Sequence, residues 1–268
     1  MIHRGHAPVM LRGLTRWQSR VHDPGASFEL VDSRACGLDW LASFDLDRVG
    51  AHVHVIAIAA RKGGVGKTTL AMHLSVLASA PGRPALLLDT DPQHSLAWWH
   101  RLRKEDEPNL IEADARELPD IIEAARREGF GRVIIDTPPH AEDSILNAMR
   151  VADLVVVPTR PGPLDLAAVA TTLELAHRIG KAPLAVLNHC PPRTGAAEPA
   201  IVTEARAALS NMGAAVAATA VANRVSMSHA ILTGSTVNEH EPGGKAAGEV
   251  EALWREIEAA LPRETETR

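Results

Sequence analysis

Apolar residues follow two distinct periods along the chain from residue 53 onward. Short, continuous apolar runs, such as residues 85–88 and 154–157, predict strands that are buried on both faces. Longer stretches in which apolar residues recur every three or four positions predict helices. The predicted strands are 53–59, 85–89, 132–136, 153–157, 184–188 and about 215–220. The predicted helices are 68–80, 94–104, 117–128, 143–150, 164–179, 199–212, 226–233 and 245–260.

This alternation of strands and helices predicts an α/β fold. We expect a doubly wound, mostly parallel sheet with helices on both faces. Ligands of such folds bind at the carboxyl ends of the strands, so the chemically active residues should lie there. We assign residues 51–268 to this domain.

Residues 1–50 do not share the pattern. The first twenty residues carry Arg4, Arg12, Arg16 and Arg20 without a single acid, and their periodicity is weak. We interpret residues 1–50 as a poorly ordered N-terminal extension. A basic arm that contacts the DNA backbone is the alternative.

Composition narrows the function classes. With 2 cysteines in 268 residues, neither a disulfide framework nor a four-cysteine metal site is expected, and a reducing cytoplasm fits. The net charge of −5 argues against a protein that is basic all over, so any nucleic-acid contact requires a local patch. We find neither a membrane-spanning apolar run nor a secretory signal. His52 and His54 alternate where the first strand begins, and we interpret them as exposed rather than as metal ligands.

A glycine-rich loop between the first strand and the first helix carries the strongest chemical signal. Glycines let several backbone N–H groups point at one phosphate, and the helix dipole adds to the attraction. Lys67 would reach the β- and γ-phosphates, and the Thr68 hydroxyl would bind Mg²⁺. The strict phosphate-loop pattern is not met, because Arg61 occupies its first glycine position. The predicted ATP-binding residues of the loop are Lys62, Gly63, Gly64, Val65, Gly66, Lys67, Thr68 and Thr69.

Polar residues follow three other predicted strands. Asp89 and Asp91 come at the end of the second strand, where carboxylates beside a phosphate loop suit Mg²⁺ and a nucleophilic water; an Asp-Pro turn is the alternative. Asp136 closes an apolar run in the form of a Walker B motif, and would hold Mg²⁺. Asn188 ends the fifth strand with one donor and one acceptor, which match the adenine edge.

These motifs, in this order, resemble the deviant Walker A ATPases of the ParA/MinD family over about residues 53–260. The likeness is greatest to the short plasmid-type ParA partition proteins, including ParF. The resemblance implies a P-loop NTPase fold in which Lys62 crosses a dimer interface to the partner's nucleotide. It further implies that Asp91 is the catalytic carboxylate, that Asp89 supports the metal, and that Asn188 contacts adenine.

The resemblance also implies a cellular role. ATP would drive sandwich homodimerisation, and the dimer would bind nucleoid DNA without sequence preference. Weak, Mg²⁺-dependent ATP hydrolysis, stimulated by a ParB-like adaptor, would then segregate or position plasmid or chromosome DNA. Candidate DNA contacts are Arg193, Arg206, Arg224 and Lys245.

Other readings of the motifs remain open. A MinD-like ATPase that cycles on a membrane should end in a basic amphipathic helix, but residues 249–268 carry six glutamates against three arginines. Membrane binding is therefore not expected. A relative that positions a protein cargo or acts on a protein scaffold remains the alternative. The two cysteines, Cys36 in the N-terminal extension and Cys190 after the fifth predicted strand, do not support an iron–sulfur reductase. A metabolic P-loop enzyme would have no obvious use for Lys62.

Overall fold

The computed structural model describes residues 52–195 and 197–262. The predicted N-terminal extension, residues 1–50, lies outside the described residues. Within these residues, seven strands form one sheet, and every pairing between the strands is parallel. The strands are β1 His54–Ile58, β2 Ala85–Asp89, β3 Asn109–Glu112, β4 Arg132–Asp136, β5 Leu154–Thr159, β6 Pro183–Leu187 and β7 Ala215–Val216. Their order across the sheet is β3-β2-β4-β1-β5-β6-β7.

Helices connect the strands and cover the sheet. They are α1 Lys67–Ala78, α2 Ser95–Leu102, α3 Leu118–Arg127, α4 Glu142–Val151, α5 Pro163–Arg178, α6 Ala200–Asn211, α7 Val225–Leu232, α8 Val237–His240 and α9 Lys245–Ala260. Among the described residues, no helix is both long enough and apolar enough to cross a bilayer.

The core explains why the strands are so apolar. All side chains of β1, β2, β5 and β6 are buried, as expected for strands covered on both faces. On one face, α1 and α9 pack against the central strands through one cluster of buried residues that includes Leu70, Leu74, Val250 and Ile257. The central strand β1 leads directly into the glycine loop, so the loop is anchored in the most buried part of the sheet.

The last helix uses its glutamates as docking groups. Glu249 pairs with Arg224, and Glu258 pairs with Arg132. Glu256 accepts hydrogen bonds from the backbone N–H groups of Ala218 and Thr219. The excess of glutamates over arginines in residues 249–268 therefore serves, in part, to hold α9 against the rest of the domain.

The structure departs from the sequence prediction in a few places. The edge strand β3 and the short helix α8 were not predicted, and β7 is shorter than expected. Helix α5 begins at Pro163 with Gly162 as its N-cap. Asp165 thus lies inside the first turn of α5, where its carboxylate pairs with Lys62.

Candidate nucleotide-binding site

The glycine loop is held in a conformation that requires glycine at two positions. Gly64 and Gly66 have φ angles of +72° and +91°, a region that side chains with a Cβ rarely adopt. At Gly66 the space is closed as well, because a Cβ there would lie 2.3 Å from Asn188 Nδ2. The loop then passes directly into α1, whose first N–H groups point toward the loop.

Lys67 spans the mouth of this loop. Its ammonium group donates to the backbone carbonyl of Lys62 at 3.3 Å, and its side chain is buried. Burial lowers the pKa of Lys67, and the nearby carboxylates of Asp136 and Asp91 oppose that shift. The arrangement leaves a desolvated cation beside the loop, which is what a phosphate-binding lysine requires.

Two carboxylates lie side by side next to the loop. The parallel register pairs Asp89 at the end of β2 with Asp136 at the end of β4. Burial raises the pKa of Asp136 to about 7, with the Thr68 hydroxyl and Lys67 acting in the opposite direction. The pKa of Asp89 is also raised, chiefly by burial.

These acids are short of hydrogen-bond donors. Among the described residues, no hydrogen bond of acceptable geometry reaches either carboxylate oxygen of Asp136 or Oδ2 of Asp89, although the Thr68 hydroxyl lies near enough to Asp136 to stabilise its charge. Buried carboxylate oxygens without donors are costly unless a proton or a cation satisfies them. Oxygen ligands are those that Mg²⁺ prefers, so Asp136, Asp89 and the Thr68 hydroxyl fit a Mg²⁺ ion at this place.

Asp91 lies on the solvent side of this pair, in the turn that leaves β2. Its backbone N–H donates to Asp89 Oδ1, and its own Oδ1 accepts from the N–H of Gln93, both at 3.0 Å. The next residue, His94, lies 2.7 Å from Glu112 of β3. Together these groups border an open cavity of about 620 Å³ between the ends of β2, β3 and β4.

Backbone strain is concentrated at the same edge of the sheet. Three described residues other than glycine have positive φ angles: His94, His140 and His189. They lie in the loops that follow β2, β4 and β6, respectively. Strained backbone of this kind is typical of ligand-binding and switch loops.

The loop after β5 and the first turn of α5 each contact the glycine loop once. The Lys62 ammonium lies 2.7 Å from Asp165 Oδ1, and the Arg160 guanidinium donates to the carbonyl of Gly64. The carboxylate of Asp165 thus carries the charge that balances Lys62. In the protomer, Lys62 is therefore bound to its own chain rather than reaching outward.

Asn188 lies under the glycine loop. Its side-chain amide is buried and donates from Nδ2 to the carbonyl of Val65 at 2.8 Å. One donor of the amide thus supports the loop itself. The contact between Asn188 and adenine remains a prediction. It would use the second N–H of the amide and its oxygen, Oδ1.

The four candidate DNA-binding cations differ in how free they are. Arg206 pairs with Glu198 and also donates to the carbonyls of Ala217 and Ala218. Arg224 forms a two-oxygen contact with Glu249. Since both guanidinium groups are already neutralised, they are weaker candidates than the sequence indicated.

The other two candidates are more available. The exposed Arg193 lies 3.5 Å from Glu198, within ion-pair distance, and Lys245, the first residue of α9, is exposed.

Sequence reasoning missed three groups at the site, namely Arg160, Glu112 and the ion-pairing role of Asp165. Arg160 lies in the loop that follows β5, and Asp165 lies in the first turn of α5. Glu112 belongs to the strand that was not predicted. The location of Arg160, Asp165 and Glu112 near the site could have been inferred only from the rule that functional groups gather at the carboxyl ends of parallel strands.

The fold and the site together define an α/β P-loop nucleotide-binding protein. Residues 56–256 match the family described as the CobQ/CobB/MinD/ParA nucleotide binding domain. This match spans most of the chain, and the chain therefore belongs to that family.

Two relatives illustrate the range of the family. The maintenance of carboxysome distribution protein A of Gloeobacter kilaueensis is 32% identical over 229 residues, covering 80% of this chain and 96% of the relative. The chromosome-partitioning ATPase Soj of Thermus thermophilus is 30% identical over 244 residues, covering 79% of this chain and 98% of the relative.

Solved structures share the fold at lower identity. The ATP complex of a variant of Cyanothece McdA superposes with a TM-score of 0.63 at 19% identity, covering 81% of this chain and 100% of that chain. The cell division ATPase MinD of Pyrococcus furiosus superposes with a TM-score of 0.60 at 22% identity, covering 78% of this chain and 99% of that chain.

Proposed function

We propose that this protein is an ATPase that dimerises around bound ATP and uses the cycle of ATP binding and hydrolysis to position a cargo. The observation that carries the proposal is the pair of buried, donor-poor carboxylates, Asp89 and Asp136, beside a phosphate loop with two lysines. A nucleotide that brings a phosphate and a cation satisfies the carboxylates and the lysines at once. Partial burial of these groups strengthens each of those interactions.

The residues of the chain divide the work of hydrolysis. The N–H groups of the glycine loop and Lys67 would bind the phosphates, and Thr68, Asp89 and Asp136 would hold Mg²⁺. The metal supplies charge neutralisation at the phosphate oxygens. Asp91, which is half exposed beside the cavity, orients a water for in-line attack on the γ-phosphate.

Dimerisation is the step that gives Lys62 a use. In the protomer its charge is matched by Asp165, so it contributes little to its own phosphate loop. When two protomers close face to face, Lys62 exchanges this partner for the phosphates of the partner's nucleotide. Turnover then depends on the dimer and is slow until an adaptor stabilises the closed state.

The first candidate for the cargo is a protein assembly. Two relatives that align along 95% or more of their own length are named as maintaining carboxysome distribution. The second candidate is DNA, because the similarity to the chromosome-partitioning ATPase Soj is also nearly full length. In both cases we place the protein in the cytoplasm on the nucleoid, with nonspecific DNA as its track and a ParB-like adaptor as its partner.

DNA binding is the property to measure first. Purified full-length protein would be titrated with random-sequence duplex DNA in the presence of ATP, ADP or no nucleotide, across a salt series. We expect binding in the ATP state alone, indifferent to sequence and weakened steeply by salt, because phosphate contacts release counterions. Lys62→Ala is the matched control, and it should remove ATP-dependent dimerisation and DNA binding together.

Two outcomes would redirect the proposal. Equal DNA binding with ATP and ADP would contradict an ATP-switched track. Absence of DNA binding in every state, with ATP-dependent dimerisation intact, would favour a relative that works on a membrane or a protein scaffold. Loss of ATP-dependent dimerisation in the wild-type protein would refute the switch itself.

A further inference from the structure

Three side chains that can bind metal ions lie together at the end of the sheet opposite the glycine loop, and one of the two histidines that the sequence indicated as exposed, His54, is buried there. His52 and His54 are two residues apart where β1 begins, so their side chains leave the chain on the same side. Their ring centroids are 4.8 Å apart in an edge-to-face arrangement. Asp153 directly precedes β5, the strand that pairs with β1. The parallel register therefore brings the carboxylate to the two imidazoles.

The carboxylate is held in place by the neighbouring backbone. Asp153 Oδ2 accepts a hydrogen bond from the N–H of Val55, and the N–H of Asp153 donates to the carbonyl of Val55, both at 2.8 Å. Lys181 also fixes the preceding residue by donating to the carbonyl of Ala152. Asp153 is thus pre-oriented toward the histidines without a metal ion.

The distances suit one tetrahedral ion. Ligand bonds of about 2.0–2.2 Å in tetrahedral geometry separate neighbouring ligand atoms by about 3.4 Å. His52 Nε2 and Asp153 Oδ2 are 3.5 Å apart, which is already that separation. One ligand atom from each of the three residues lies within 4.8 Å of the others. The His52 side chain is 44% exposed, so its ring can turn to close the remaining gap.

We propose that His52, His54 and Asp153 bind a divalent transition-metal ion of the zinc type, with water at the fourth position. Two imidazoles and one carboxylate are a donor set that zinc favours, whereas Mg²⁺ selects oxygen ligands. The Arg83 guanidinium donates to the His52 carbonyl and opposes a cation, so the affinity is moderate. The ion would join the starts of β1 and β5, far from the nucleotide.

The test uses the full-length protein after removal of metals by a chelator. Zinc chloride is titrated against the protein in competition with a chromophoric chelator, and Co²⁺ replaces zinc to give a visible spectrum that reports coordination. We expect one equivalent per chain that binds with moderate affinity, tetrahedral Co²⁺ bands, and at least a tenfold loss of affinity in His52→Ala. His229→Ala removes an exposed helical histidine outside the cluster and should leave the affinity unchanged.

A second variant separates binding from folding. Asp153→Asn keeps an oxygen that accepts from Val55, so it should preserve the fold by circular dichroism while lowering zinc affinity. The proposal is overturned if the wild-type protein shows no stoichiometric site, or if His52→Ala and His229→Ala weaken zinc binding equally. Zinc affinity should also be the same with and without ADP, because the two sites lie at opposite ends of β1.

Discussion

Replacing Asp165 by Asn should strengthen ATP-dependent dimerisation, because it releases Lys62. In the protomer the Lys62 ammonium lies 2.7 Å from Asp165 Oδ1. Among the described residues this oxygen has no partner with hydrogen-bond geometry, so the attraction is mainly Coulombic. Lys62 must break this contact before it can reach a nucleotide held by the partner protomer.

The magnitude follows from the exposure of the pair. The side chains of Lys62 and Asp165 are 36% and 15% exposed, which places the pair between the surface and the interior. Discounted for solvent screening, one such pair contributes about 0.2–1 kcal/mol. Two pairs break for each dimer, so the change is about 0.4–2 kcal/mol. Since about 1.4 kcal/mol is a factor of ten, the dimer dissociation constant should fall roughly 2- to 30-fold.

The assay is sedimentation of the protein over a concentration series with a non-hydrolysable ATP analogue. Asp143→Asn is the matched control, because it also removes one negative charge from the first turn of a helix and is exposed. Both substitutions lose a favourable interaction with a helix dipole, but only Asp165→Asn frees Lys62. The control should dimerise like the wild-type protein.

The result that refutes this reasoning is Asp165→Asn dimerising no better than Asp143→Asn. Weaker dimerisation would show that Asp165 contributes to the closed interface itself. Tighter dimerisation that persists in Asp165→Asn combined with Lys62→Ala would show that the gain does not come from the released lysine.

Two further substitutions test the acids and the loop. The folded-state pKa of Asp136, about 7 against an ordinary 3.8, means that the nucleotide-free protein loses stability as pH rises from about 4 to 7. As pH rises through this range, the free energy of unfolding of Asp136→Asn should therefore increase relative to that of the wild-type protein by up to about 1.4 kcal/mol per pH unit, as measured by denaturant unfolding. A difference between the two proteins that is the same at pH 5 and at pH 7 would contradict this. Gly66→Ala should abolish nucleotide binding, because its Cβ would lie 2.3 Å from Asn188 Nδ2 at a φ of +91°. Gly129 also has a positive φ, +78°, but a Cβ there would have no atom within 4 Å, so Gly129→Ala measures the backbone strain alone. Equal losses of stability in Gly66→Ala and Gly129→Ala would disprove the predicted clash at Gly66.

The main strands were predictable because burial on both faces leaves an unmistakable apolar run. Strand β3 was not, since Asn109–Glu112 contains only two apolar residues and pairs with a single neighbour, β2. Helix α8 is only four residues long and too short for periodicity to show, although Thr236 and Glu239 form a capping box around its start.

The candidate site was predictable as a set of motifs but not as a geometry. The glycine loop and the strand-end acids stood out because each follows a predicted strand. That Asp89 and Asp136 are direct neighbours depends on the order of the strands and on their register, and neither is written in local sequence. The contact between Lys62 and Asp165 joins the loop after β1 to the helix that follows β5. It could be found only after β1 and β5 were known to be adjacent.

The placement of the buried acids connects the candidate metal site to an exposed turn of the protein. Asp136 is fully buried and lacks donors among the described residues, so a cation there relieves a cost that the nucleotide-free protein carries. Asp89 shares that position by register, and its other oxygen accepts from the N–H of Asp91. We therefore infer that a cation bound by Asp89 would be coupled to the turn that holds Asp91 and Gln93, at the rim of the open cavity. If the proposed function holds, part of the binding energy would change the conformation of this exposed turn, where a partner protein could recognise the nucleotide state.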